Sequence, residues 1–214
     1  MRLLEFTLIY IGLPVLLWVT SEQTMLLPIL WLGGVIAWTL LRYGRRNHQS
    51  PAVPPVVTVR RESMVILLRF IGVACGLTLA LYFYHPDWLF WLPRKSLGLW
   101  GLIMVAYPLL SVLPQALVYR LLFEQRYARC FSTARLSFTV GTLVFCLAHL
   151  PFNNFWALLF TLPGGFLFLR TFRRTGSMGL SILEHTLYGD LLFTIGWGVC
   201  LASGGTQQFF LNLK

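Results

Sequence analysis

The sequence predicts an all-α fold, a polytopic bundle of about six to eight transmembrane helices. Three observations lead there. Of the 214 residues 57% are hydrophobic and only 11% charged, where a soluble domain runs near half and a quarter, and mean hydropathy is +0.71. Apolar stretches of roughly 17–25 residues recur along the chain, each long enough to cross a hydrocarbon core about 30 Å thick. The period-two alternation of a barrel strand is absent, and a spanning segment must satisfy its own backbone hydrogen bonds, so helices are the default.

The first stretch, MRLLEFTLIYIGLPVLLWVT, resembles a signal peptide in its apolar core. It lacks a small-residue cleavage site and another span follows at once, so it is read as a retained helix over about 3–20. Further spans are expected at about 24–42, 63–84, 98–123, 135–150, 155–171 and 177–202. The last contains Gly189, Gly196 and Gly198 and is either one tilted helix or two shorter ones. Between the second and third lies RYGRRNHQSPAVPPVVTVRRES, where Pro51, Pro54 and Pro55 bar helix continuation. It divides the chain into residues 1–62, two N-terminal transmembrane helices with a basic cytoplasmic linker, and a core of residues 63–214. No internal repeat is seen.

The net charge of +10 does not point to nucleic acid, because the 17 Lys and Arg residues gather at the ends of apolar segments. The lipid bilayer is the partner this pattern implies. Arg42, Arg45, Arg46, Arg60 and Arg61 flank the second connection, Arg126, Arg129 and Arg135 the fourth, and Arg170, Arg173 and Arg174 the sixth. The intervening connections carry only Arg94 and Lys95. The positive-inside bias therefore predicts a cytoplasmic N-terminus. Cys75, Cys130, Cys146 and Cys200 form no CxxC pair, which argues against a disulfide framework or a thiolate zinc site.

Ionisable groups within spans are costly and usually functional, which singles out Arg69, Arg120, His149, Glu184, His185 and Asp190. Three clusters form: Pro114 to Arg120, Phe145 to His149, and Glu184 to Asp190. The pairs 116/120 and 145/149 each share a helix face. Pro114 should kink its span. Arg120 either snorkels to the cytoplasmic surface or serves a site. Two histidines on separate helices, each near Asn153, Asn154 or Asp190, suggest a shared polar site. There is no HExxH, and His185 lies about 100° around a helix from Glu184, so zinc is not expected. A metal-free site whose imidazoles orient water or stabilise an oxyanion fits with fewer ligands. One tension remains, since residue 116 falls near the cytoplasmic end of its span and His149 near the opposite end of its own. A shared site then requires staggered or kinked helices.

In this order the clusters resemble the CPBP family of intramembrane proteases, which includes the CAAX-processing endopeptidases and the bacteriocin-immunity (Abi) proteins. The likeness covers about residues 98–200. The family reads EExxxR, FxxxH and HxxxN or HxxxD on three separate transmembrane helices. FCLAH, Phe145 to His149, matches the second motif, and Arg120 matches the arginine of the first. His185 matches the third, with Gly189 where the Asn falls and Asp190 one residue later, similar to the HALYG stretch of some bacterial members. The first motif departs, because Gln115 and Ala116 stand where two glutamates belong. Bacterial members read PQExxxR, so a single Glu to Ala change at position 116 accounts for the difference. Tyr119, Arg120, Arg126 and Tyr127 keep the pattern of an active member.

The resemblance implies a glutamic-type endopeptidase of the bacterial inner membrane, without cofactor or metal. Its substrate would be a membrane-embedded or lipid-anchored polypeptide, cut near a hydrophobic C-terminal tail. A glutamate at position 116 would be the general base, His149 would position the water, and His185 with Asp190 would bind the oxyanion. Arg120 would orient the glutamate, with Gln115, Tyr119, Phe145 and Glu184 in support. Ala116 removes the base, so the chain is expected to be an inactive form. Two other readings stay open: a non-catalytic binding, immunity or scaffold protein using the same cavity, and a proton pathway through His149, His185 and Asp190. The lack of a repeated pair of broken spans counts against the last.

Overall fold

The computed structural model describes residues 1–44 and 57–201, and within them every regular element is helical. Among the described residues six helices are long and apolar enough to cross a membrane: α1 (Arg2–Val19), α2 (Gln23–Tyr43), α3 (Val59–Tyr84), α4 (Leu97–Cys130), α5 (Ala134–Phe152) and α6 (Phe155–Thr175). A seventh, α7 (Met178–Ile195), is not among them. The all-α polytopic bundle is thus as expected. Arg45, Arg46, Pro51, Pro54 and Pro55, on which the linker reading rests, lie outside the described residues.

α7 falls short in hydropathy because it carries Glu184, His185 and Asp190, and it tolerates them because it is walled in. It packs against α3, α4 and α6, and only Gly179 and Leu183 along it are exposed. Polar side chains on such a helix face neighbouring helices rather than lipid. The outer faces of the bundle instead present large apolar groups such as Leu68, Phe83, Leu102 and Val105. The expected last span, 177–202, breaks at Gly196 (φ +120°), after which Gly198–Leu201 forms a short turn of helix. A Cβ at Gly196 would lie 2.0 Å from the Trp88 carbonyl oxygen, so the break needs glycine.

α4 is the longest element and the least regular. It is α-helical from Leu97 to Tyr107, widens to π geometry over Pro108–Val112, tightens over Leu113–Ala116, and widens again over Leu117–Tyr127. Proline cannot donate to the carbonyl four residues earlier, and π segments commonly mark functional positions. The carbonyl freed by Pro114, that of Leu110, is taken by Trp31 Nε1 of α2 at 3.0 Å. Further along, Tyr10 of α1 donates its hydroxyl to the Val118 carbonyl at 2.7 Å. The N-terminal pair therefore supports the distorted helix, with Phe6 and Tyr10 packed among Val118, Phe123 and Tyr127.

The helix ends sort into two sets. At one end Glu5 pairs with Arg126 and Tyr127, Arg173 with Glu124, and Arg174 with Glu62. At the other, Gln23 reaches the Pro151 carbonyl, Phe90 N–H reaches Ile195, and Trp197 reaches Leu77.

Candidate active site

Arg120 projects from the π segment of α4 into the bundle and is 2% exposed, so it does not snorkel. Its Nη1 donates to the carbonyl and hydroxyl oxygens of Ser181 at 3.1 and 2.9 Å, and its Nη2 to His185 Nδ1 at 2.8 Å. The guanidinium carbon sits 5.4 Å from the centre of the Phe168 ring. Among the described residues no carboxylate pairs with it, and its Nε is buried without a hydrogen-bond partner.

His185, on α7, is held on every side. Phe168 of α6 stacks on it at 4.3 Å and 21°, Phe145 of α5 presents an edge at 5.6 Å, and the Tyr107 hydroxyl meets Nε2 at 3.1 Å. His149 lies where α5 ends in a turn, with Nδ1 2.9 Å from the Phe145 carbonyl. A carbonyl only accepts, so Nδ1 carries a hydrogen, and in the neutral form of the ring Nε2 is the acceptor. Phe145 joins the two histidines by packing on both, and its ring also meets Tyr119.

Both histidines line one cavity of about 610 Å³, together with Tyr107, Ser111, Gln115 and Phe145. A second cavity of about 470 Å³ opens between α1, α2 and the same part of α4. Tyr107, Ser111, Gln115, His149 and Phe152 line both, so this group is a shared wall. Gln115 donates Nε2 to Ser111 Oγ at 2.7 Å, while its Oε1 is buried without a partner. Ala116 is fully buried and, like Arg120, lines neither cavity. Of the two positions where glutamates were expected, 115 faces the cavities and 116, four residues before Arg120, does not.

The apparent mismatch in depth between positions 116 and 149 disappears because α4 runs to Cys130 rather than stopping near residue 123. Counted from the turn between Cys130 and Ala134, Gln115 is fifteen residues back along α4 and His149 fifteen residues on along α5. Antiparallel helices joined by a short turn bring such positions to one level. The charged tail of α4, EQRYAR, looks like a loop in the sequence, yet Glu124 and Arg126 are consumed by Arg173 and Glu5.

Glu184 does not join the histidines. Its carboxylate is fully buried, bound to Arg69 of α3 and to Thr171 Oγ1 of α6 at 2.5 Å. Asp190 makes no hydrogen bond to His185, whose ring nitrogens are occupied by Arg120 and Tyr107, and its Oδ1 is buried without a partner. Tyr107 and Ser111 were not singled out from sequence. Their signal was there: with Gln115 they recur every four residues on one face of α4. Among the described residues no three His, Cys, Asp or Glu side chains come together as a metal site.

Residues 96–189 match the family model described as type II CAAX prenyl endopeptidase Rce1-like. Over that segment, a little under half of the chain, it is similar to the Rce1-like type. The match runs from the start of α4 to Gly189 and takes in Gln115, Ala116, Arg120, His149 and His185, so the similarity to a CAAX-processing membrane protease falls on the helices that carry the site. No curated protein matches the chain, and no solved structure does.

Proposed function

We propose that the chain is a glutamic-type intramembrane endopeptidase scaffold that holds a membrane-embedded or lipid-anchored polypeptide near its hydrophobic C-terminal tail, and that it lacks the carboxylate for cleavage. The observation that carries this reading is the polar wall of Tyr107, Ser111, Gln115, His149 and His185 facing a largely apolar cavity of about 610 Å³. Apolar walls suit a lipidated tail, and convergent polar groups suit a peptide bond.

Hydrolysis needs a base for water and a donor for the oxyanion. His149 Nε2, free to accept, can hold a water hydrogen at the cavity wall, but no carboxylate stands beside it. Arg120 bears on where one belongs. A buried guanidinium without an anion is costly, and a carboxylate at position 116, one turn before Arg120, would give its orphan Nε a partner and supply the missing charge. A carboxylate at position 115 would instead face the water directly.

The test is to express the chain, Ala116→Glu, Gln115→Glu and the double variant, and to follow cleavage of an S-farnesylated CAAX peptide in proteoliposomes. Cleavage is expected once a carboxylate is restored, and His149→Ala in that background should lower it by about 10²–10⁴-fold. If every acidic variant is as inert as the parent on a peptide that all of them bind, the protease reading fails. The second reading, a non-catalytic binding or immunity scaffold, is favoured by Gln115 and Ala116 themselves and would then stand.

A further inference from the structure

The third motif leaves a gap that another helix fills. Four residues after His185 stands Gly189, where the resemblance leads one to expect an Asn or Asp side chain. A Cβ at Gly189 would lie 2.2 Å from Tyr107 Cε1 and 2.5 Å from its Cζ and hydroxyl oxygen. The phenol of α4 therefore occupies the space of the missing side chain and reaches His185 Nε2 from there.

The proton positions follow from the partners. A guanidinium has only donors, so His185 Nδ1 accepts from Arg120 and bears no hydrogen. The ring is then neutral, with its hydrogen on Nε2, which donates to the Tyr107 oxygen. That leaves the phenolic hydrogen free, on a residue that lines both cavities. A donor at the end of such a chain is strengthened by the cation at its start.

We propose that Tyr107 is the hydrogen-bond donor that this chain uses in place of a side chain at position 189, binding a carbonyl oxygen of an extended peptide held between the two cavities. The identity of the occupant rests on the function proposed above; the Arg120–His185–Tyr107 relay does not. In the parent chain no bond is made or broken by the contact. In a variant that hydrolyses, the same hydrogen bond would tighten on the oxyanion.

The experiment uses the full chain in lipid nanodiscs with ¹⁵N-labelled histidine, the His185 signals being assigned by His185→Gln. The relay requires an unprotonated Nδ1 and a protonated Nε2 whose resonance moves in Tyr107→Phe, a change that keeps the ring and its packing on Gly189. Binding of an S-farnesylated CAAX peptide should weaken about tenfold in Tyr107→Phe, as for loss of one good hydrogen bond. Gly189→Ala should do the same by displacing the phenol, and Tyr107→Ala with Gly189→Asn should recover most of the loss. In a cleaving background, Tyr107→Phe should lower kcat about 10²-fold with KM changed less than about threefold. A His185 protonated on Nδ1, or peptide binding within about twofold of the parent in Tyr107→Phe, overturns the proposal. A chain that binds no such peptide but keeps the Nε2–H form and its response to Tyr107→Phe removes the peptide as occupant and leaves the donor in place.

Discussion

Arg69 and Arg120 reach the same turn of α7 from different helices and bind adjacent residues, Glu184 and His185. Their tasks differ. Arg120 sits behind the cavity wall, whereas Arg69 neutralises a carboxylate that has, among the described residues, no other cation and one hydroxyl partner. Arg69→Ala would leave Glu184 charged and unpaired in the bundle, and such losses run to about 3–5 kcal/mol. A lower midpoint in a detergent thermal-unfolding assay is expected, with most of the loss recovered in Arg69→Ala with Glu184→Gln. No recovery would mean that the pair is not what stabilises this turn. Arg120, His149 and His185 were legible in the sequence because an ionisable group in an apolar run is conspicuous. Tyr107 was less conspicuous, since tyrosine is unremarkable in a span; its four-residue spacing from Ser111 and Gln115 puts it on their face, and the cavity and the Gly189 contact show its place. Glu184 and Asp190 stand beside His185 in the sequence but make no hydrogen bond to it: Glu184 turns to Arg69 and Thr171, in keeping with its place about 100° around the helix.

At the scale of elements, the irregular α4 makes contacts with helices outside the matched segment. Trp31 of α2 caps the carbonyl freed by Pro114, and Tyr10 of α1 caps a carbonyl of the second π segment. Trp31→Phe should cost about 1 kcal/mol, read as an earlier urea or thermal midpoint, by leaving the Leu110 carbonyl unpaired. An unchanged midpoint would show that the proline break needs no partner. That the helix is irregular around Pro114 was legible from sequence, but not the two π segments or the length of α4. EQRYAR has the composition of a loop, and only the ion pairs with Glu5 and Arg173 reveal why it stays helical.

For the whole molecule, the two sets of helix ends match the alternation of basic connections along the sequence, and we propose that the set holding Arg126, Arg173 and Arg174 faces the cytoplasm. Exposed Ser132 and Asp87 lie in opposite sets. With the four native cysteines replaced, Asp87→Cys should react with a membrane-impermeant maleimide added to intact cells, and Ser132→Cys only after lysis. The reverse pattern would invert the topology. The number of crossings was less legible than the fold class, because hydropathy treats every helix as if it met lipid. α7 does not, and the same enclosure bears on biogenesis. An Asp near the middle of an inserting segment alone costs about 2.5–3.5 kcal/mol, and α7 carries Glu184 as well as Asp190. A translocon presenting α7 by itself to the bilayer would find little reason to release it there. The partners of Glu184 and His185, namely Arg69, Thr171 and Arg120, all come from helices synthesised earlier. Order of synthesis thus supplies α7 with a ready-made polar berth, so that the helix least suited to lipid enters the membrane by docking onto its predecessors.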